Sequence, residues 1–381
     1  MSMTPDFDLL VIGGGAVGLA VAAEAAARLG GENVILLERH RRIGQETSSR
    51  SSDVVHACLY YPPGTHKAKF CLEGAQRLLS FCETEGVACR RFGKLIVAQD
   101  DSELPAMEAL KRNAEACGVE GIEIVDRSCV HRMEPLVDGL AALWSPNTAI
   151  FDSWEFMQRL KARFLALGGE LVLRAEVVGI DLETGLVTVR RPGGETEELR
   201  VGLCVNSAGL QSDWVASLAG LDRDALGLRL LHCKGSYFSV TGRIARSIGR
   251  LVYPVPGHLS GGLGLHFTPD LGGGLRLGPN ASYVSRQDPP DYSVDVDLQD
   301  AFLDAGRRLV PTLRGEDLAP DMAGIRPRLY APGEPARDFE IVFQQGSKAA
   351  AIHLVGIESP GLTASLALGR HVASSAVDLM G

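Results

Sequence analysis

Residues 8–38 read DLLVIGGGAVGLAVAAEAAARLGGENVILLE. The opening DLLVI is the short apolar pattern of a buried strand. Glycines follow at Gly13, Gly14, Gly15 and Gly18. Residues 16–29 are rich in alanine, the strongest helix former, and Gly30-Gly31 ends the run. The stretch NVILLE, 33–38, is a second buried strand. Strand, turn, helix and strand make one βαβ unit, whose crossover is expected to be right-handed.

The spacing inside this unit carries chemistry. Residues 13–18 fit G-x-G-x-x-G, with a strand before them and a helix after. Gly13 allows the tight turn. Gly15 lets the backbone approach a pyrophosphate, and Gly18 lets helix and strand pack closely. The helix N-terminus at Ala16 and Val17 stabilises phosphate charge. Glu38 follows Gly18 by twenty residues, where a carboxylate can accept hydrogen bonds from adenosine ribose hydroxyls. The alternative is a glycine-rich turn in a nucleotide-free α/β domain. With strand, helix and acid all in place, a dinucleotide is expected; the unit alone does not choose between FAD and NAD.

The totals set outer limits. At ~100–200 residues per domain, a chain of 381 residues suggests two domains. Hydrophobic residues make up 45% and charged residues 22%, enough for a sizeable core. The net charge is −9 and no Lys/Arg run exceeds two, so no nucleic-acid footprint is expected. An anionic substrate must then be caught by a local cationic pocket. None of the eight cysteines form a C-x-x-C pair, so neither zinc nor a disulfide scaffold is expected. Their usage suits a reducing compartment. Residues 1–8 contain two aspartates and no Lys or Arg, unlike a signal peptide. Glu24 and Arg28 interrupt the apolar run after them, so no stable membrane insertion is expected. The expected location is the cytoplasm.

Further along, helices are expected at 67–85, 102–117, 151–167 and 296–310, and from 363 to about 379. Asp152 or Ser153 can cap the third of these. Strands are expected at 92–98, 170–181, 186–191, 197–204 and 351–355. From 228 to 283, strand patterns alternate with Gly/Pro turns and suggest an antiparallel sheet.

Two segments beyond the βαβ unit favour FAD. Val205-Asn206-Ser207-Ala208-Gly209 and Gly356-Ile357-Glu358-Ser359-Pro360-Gly361-Leu362-Thr363, with the N-terminal unit, resemble the FAD-dependent oxidoreductases of the D-amino-acid oxidase type. In that family the last loop opens a helix whose N–H groups face the flavin, where its dipole would stabilise a reduced anionic flavin. Within the superfamily, residues 45–64 (QETSSRSSDVVHACLYYPPG) look like the flavin-facing loop of L-2-hydroxyglutarate dehydrogenases and oxidases. Lys234-Gly235, Tyr253-Pro254-Val255-Pro256, residues 263–268 (LGLHFT), residues 277–280 (LGPN), Arg326-Pro327 and Asp338-Phe339 continue the match nearly end to end. The chain departs from the pattern at Cys58, where Gly- or Ser-like residues are usual. It also departs in the turn 257–262 and at Arg328-Leu329-Tyr330.

The resemblance implies an α/β fold, a Rossmann-like FAD-binding domain interleaved with a mixed-sheet α+β substrate domain. Residues 1–90, 142–230 and 340–381 are expected to form the first, and 91–141 and 231–339 the second. The cofactor set it implies comprises Gly13, Gly15, Ala16, Val17, Gly18, Glu38, Arg39, Thr47, Ser48, Ser49, Val177, Ala208, Gly209, Gly356, Ser359, Pro360, Gly361, Leu362 and Thr363. The implied reaction moves a hydride from a 2-hydroxy acid to the flavin while a base takes the hydroxyl proton. His56 is the leading base, and a structural histidine bonded to backbone is the alternative. His266 is the second candidate. It lies between Leu265 and Phe267, so if those two face the core it faces pocket or solvent. Lys234, Arg326 and Arg328 are candidate carboxylate anchors. Tyr61 and Tyr253 could hydrogen-bond substrate. The substrate is expected to be a small carboxylate, with oxygen, a quinone or another flavoprotein as electron acceptor. An amine, amino acid or polyol phosphate is the sister reading, and a flavoprotein with structural FAD a third.

Overall fold

A computed structural model of the protein describes residues 5–257 and 263–380; His258 and the rest of the turn 258–262 lie outside them. Strand Phe7–Ile12 runs parallel to Val34–Glu38 on one side and to Thr196–Asn206 on the other. Flanked in this way, its Leu9, Leu10 and Val11 are fully buried, as an apolar run in a parallel sheet requires. Glu170–Leu173 extends the sheet beyond Val34–Glu38. Ala350–Val355 extends it beyond Thr196–Asn206, with Glu340–Gln345 antiparallel outside that. The first half of Thr196–Asn206 leaves the parallel core and pairs with a hairpin, Glu176–Asp181 and Leu186–Arg190.

Helix Ala16–Leu29 is built from small residues, and the reason lies in its neighbour. A Cβ added at Gly369 of helix Gly361–Met380 would stand 2.7 Å from the Ala20 carbonyl carbon. The two helices therefore meet backbone to backbone. Helix His66–Glu85 packs against the same C-terminal helix, since a Cβ at Gly74 would stand 2.4 Å from the Thr363 carbonyl oxygen. These contacts hold the first turn of Gly361–Met380 in place.

A second, nine-stranded sheet carries the other layer. Leu231–Val240 pairs along its length with Leu318–Arg328. Leu275–Gly278, His266–Pro269 and Leu251–Pro254 follow. Leu251–Pro254 runs parallel to Lys94–Ala98, which pairs in turn with Ala141–Ser145. That parallel pair makes the sheet mixed, as expected, while the strands within 228–283 pair with one another antiparallel, as their pattern suggested. Its core includes Leu95, Val97, Phe238, Val252, Phe267 and Phe302. The chain thus has the expected class, a Rossmann-like α/β layer joined to a mixed-sheet layer.

Some elements differ from expectation for clear reasons. Phe151 ends strand Ala149–Phe151 rather than opening a helix, and Asp152 caps helix Ser153–Ala166 by accepting from Glu155 N at 2.8 Å. Strand Leu318–Arg328 carries Pro320 and Pro327, residues that argue against a strand in sequence. All eight cysteines are free. Among the described residues no helix is long and apolar enough to cross a membrane.

Candidate active site

A cavity of about 1210 Å³ runs between the two sheets' loops. That exceeds the roughly 300–1,000 Å³ of an ordinary small-ligand pocket. Gly13, Gly15, Ala16, Val17, Glu38, Arg39, Thr47, Ser48, Val177, Ala208 and Gly209 line it. So do His56, Tyr61, Tyr253, His266, Arg326, Arg328 and the segment from Ser359 to Thr363. Gly18, Ser49, Gly356 and Lys234 are not in the wall.

The glycine turn is forced by close contacts. Gly13 has φ +105°, and a Cβ there would stand 2.7 Å from the Ser207 carbonyl oxygen. A Cβ at Gly18 would stand 2.0 Å from the Gly13 carbonyl oxygen, so Gly18 serves the turn from beneath. Glu38 accepts from Gly14 N and His40 N, both at 2.7 Å. A carboxylate has about four acceptor sites, which leaves capacity for ribose hydroxyls. Ser48 Oγ accepts from Ala16 N at 3.0 Å, at the mouth of helix Ala16–Leu29. Arg39 is held by Glu46, and by Asp288 at 3.2 Å. Thr47 Oγ1 donates to the Ile325 carbonyl at 3.2 Å, and Ser49 Oγ donates to Gly44. The glycine turn, the Glu38 carboxylate and the N-terminus of helix Gly361–Met380 open on one cavity, an arrangement that fits FAD.

The chemistry-bearing side chains come from distant segments. His56 follows strand Val54–Val55; its backbone N–H donates to Thr363 Oγ1 at 3.1 Å. Its Nε2 lies 3.3 Å from Ser359 Oγ, which lies 3.4 Å from the Tyr61 hydroxyl. Its Nδ1 is buried with no hydrogen-bond partner among the described residues. Enclosure, with Lys94 and His266 nearby, pushes the His56 pKa well below the usual histidine value. The imidazole is therefore neutral, the form a base needs. His266 opens strand His266–Pro269, buried, stacked on the Tyr253 ring with centroids 3.6 Å apart. Its Nδ1 lies 2.8 Å from the Gly264 carbonyl, so Nδ1 donates and Nε2 keeps the lone pair. Burial brings its pKa down to about 3, against the Gly264 bond and with Lys94 and Arg326 adding to the fall. Phe267 faces the core; Leu265 precedes the strand, packs against the edge of the same core and also lines the cavity.

The three candidate anchors are not equivalent. Arg326 Nη1 donates to the Asn280 carbonyl at 3.2 Å and to Cys233 Sγ at 3.7 Å. Among the described residues no carboxylate pairs with it. Arg328 Nε lies 3.0 Å from Glu358 Oε2, while Lys67 Nζ lies 3.0 Å from Glu358 Oε1. The anchor expected at Arg328 is thus engaged by Glu358, a residue of the C-terminal loop. Lys234 is outside the wall and pairs with Asp291 at 2.9 Å. Cys58, the departure noted above, has φ +56°, a region that favours glycine.

Sequence reading missed Lys67, Lys94, Glu358 and Asp338. Asp338 accepts from His66 N and Lys67 N and so fixes the start of helix His66–Glu85. The Asp338-Phe339 match marked that position without a role.

The family of FAD dependent oxidoreductases, DAO, matches residues 8–375. The chain belongs to that family. It is therefore an FAD-dependent oxidoreductase. It is 35% identical to an L-2-hydroxyglutarate dehydrogenase, mitochondrial, of Arabidopsis thaliana, over 96% of this chain and 83% of that protein. It is 28% identical to the L-2-hydroxyglutarate dehydrogenase of Indibacter alkaliphilus, over 96% of this chain and 98% of that one. Among solved structures, it is similar to a reduced L-alpha-glycerophosphate oxidase from Mycoplasma pneumoniae with FAD bound. The TM-score is 0.83 at 25% identity, covering 98% of this chain and 94% of that one.

Proposed function

We propose that this enzyme oxidises a small 2-hydroxy acid, L-2-hydroxyglutarate, to the 2-keto acid. The observation that carries the reading is the meeting, in one cavity, of a neutral His56 and a guanidinium, Arg326, that no described carboxylate neutralises. Relatives named for L-2-hydroxyglutarate support the choice of acid.

FAD held by the glycine turn, Glu38 and the start of helix Gly361–Met380 would supply the acceptor for the hydride that leaves substrate C2. Arg326 binds a substrate carboxylate, which a planar guanidinium does bidentately. His56 accepts the hydroxyl proton at Nε2 as the C–H electron pair departs and the carbonyl forms, the substrate hydroxyl taking the place that Ser359 Oγ holds on Nε2. Ser359, bonded to both His56 and Tyr61 before substrate enters, pre-orients the imidazole. His266 keeps an unprotonated Nε2 and is the second acceptor in the wall. Oxygen, a quinone or another flavoprotein would serve as the acceptor that reoxidises the flavin. Free cysteines suit a reducing compartment, and the cytoplasm is the proposed location.

The test is anaerobic mixing of FAD-loaded enzyme with a panel of 2-hydroxy acids, amino acids and glycerol phosphate while flavin absorbance is followed. Bleaching by L-2-hydroxyglutarate well ahead of the rest is expected. Bleaching by glycerol phosphate first would instead favour a polyol-phosphate dehydrogenase, the reading the glycerophosphate oxidase likeness supports. No bleaching by any of them would leave FAD as a structural group.

A further inference from the structure

Strand Lys94–Ala98 is buried along its whole length, yet it begins with a lysine. Lys94 is fully buried, and lysine is almost never so placed unless paired. Among the described residues no carboxylate pairs with it. Two aromatic rings hold it instead. Its Nζ lies 4.1 Å from the Tyr253 ring centroid and 5.4 Å from that of Tyr60, both within cation–π range. The His266 imidazole stacks on the same Tyr253 ring at 3.6 Å. Ammonium and imidazole cannot share one face at those distances, so the Tyr253 ring is sandwiched between them. Tyr60, Tyr253 and His266 line the cavity, and Lys94 stands one ring behind it.

The groups facing Lys94 come from several elements. They are Tyr60, Tyr253, Cys71 of helix His66–Glu85, His56 and His266. None is an anion near neutral pH, since burial raises the Cys71 thiol and both tyrosines and keeps both histidines neutral. Arg326 is a second cation without a described carboxylate, and it acts on His266 as Lys94 does. Two uncompensated cations therefore attend one wall, and the proposed substrate carries two carboxylates.

We propose that Lys94 is the specificity-determining cation for the second carboxylate of a dicarboxylate substrate, acting from behind the Tyr60–Tyr253 wall while Arg326 takes the first. The inference rests on the dicarboxylate reading above. A charge in a low-dielectric interior is weakly screened, so Lys94 acts through the aromatic wall of Tyr60, Tyr253 and His266 without touching the substrate. It is a positioning residue. Burial brings its pKa down to about 7. An arriving anion favours the charged form. At about pH 8 the protein should therefore take up a proton as a diacid binds.

The experiment uses FAD-loaded enzyme without oxygen, comparing wild type with K94M. One arm measures kcat/KM for L-2-hydroxyglutarate and for lactate. The other measures proton uptake at about pH 8 when glutarate, which has no hydroxyl to oxidise, is bound. K94M should lose about 10–100-fold on the diacid through KM, from one charge-assisted interaction, and only a few-fold on lactate. Wild type should take up a proton with glutarate, and K94M should not. Equal losses on both acids, or a wild type that takes up no proton, overturn the assignment of Lys94. Because wild-type uptake needs no variant, a poorly folded K94M does not shelter the idea. If wild type prefers the diacid but K94M keeps that preference, only Lys94 fails. If wild type shows no diacid preference, the substrate reading itself fails.

Discussion

Arg326 and Arg328 stand two residues apart on one strand, yet they sit in opposite electrostatic settings. Arg328 shares Glu358 with Lys67, so two cations meet one buried carboxylate. Among the described residues Arg326 donates to a carbonyl and a thiol, and Lys94 lies over two aromatic rings, with no carboxylate on either. In the first corner both cations are already engaged by a carboxylate of the protein. In the second, no described carboxylate engages either cationic side chain. The comparison teaches that a cation near a pocket binds ligand only if the fold has not already supplied its counter-charge.

The largest effect should come from outside both corners. Gly15→Val puts a side chain where the pyrophosphate would lie, and the purified variant should lose most of its FAD. Full flavin content would overturn the assignment of the phosphate turn. Next, His56→Ala should keep FAD and lower flavin reduction roughly 10²–10⁴-fold, the contribution of a positioned base. A loss of about tenfold or less would move the base to His266. The arginines should then separate. Arg326→Met should cost about 10–100-fold in kcat/KM, from roughly 1.5–3 kcal/mol per charge-assisted bond. Arg328→Met should act on stability, because removing one partner leaves Glu358 with Lys67 alone. Thermal melts and steady-state kinetics on both variants decide it. A loss of catalysis in Arg328→Met with an unchanged Tm would erase the distinction between the corners.

How much of this was legible depends on how local the signal is. The turn and Glu38 lie within one short βαβ unit, and the approach of Gly14 to Glu38 and of Gly18 to Gly13 is visible in its spacing. Val205-Asn206-Ser207-Ala208-Gly209 and the C-terminal loop added the wall that faces it. The substrate corner is assembled from strands far apart in sequence. Lys94 heads a strand, KLIVA, as a surface charge commonly would; only the parallel pairing of that strand with Leu251–Pro254 places it beneath Tyr253. Lys234 carried a family match but is neutralised by Asp291, 57 residues on. Glu358 sat inside a recognised loop, and nothing local shows that its carboxylate reaches back to Arg328. Counter-charges are long-range facts, so the residue types were readable and their availability was not.

A smaller effect sharpens the uncompensated corner through pH. The Lys94 pKa falls from about 10.5 to about 7 on folding. The folded state therefore holds that proton less tightly than the unfolded chain. The cost to stability is full below about pH 7, fades as pH rises through that window, and is gone above about pH 10.5. K94M removes the cost, so its Tm advantage over wild type should be greatest below about pH 7 and vanish at the alkaline end. A constant difference across that range would mean that Lys94 is not a buried, uncompensated charge.

The central claim is that the cavity reads a 2-hydroxy acid by its charge as well as by its hydroxyl. The most direct test is the ratio of kcat/KM for L-2-hydroxyglutarate over lactate with the FAD-loaded wild-type enzyme. Losing one carboxylate should cost about 10–100-fold, one charge-assisted contact at about 1.4 kcal/mol per factor of ten. Near-equal values, or a preference for a neutral amino acid, would contradict the account.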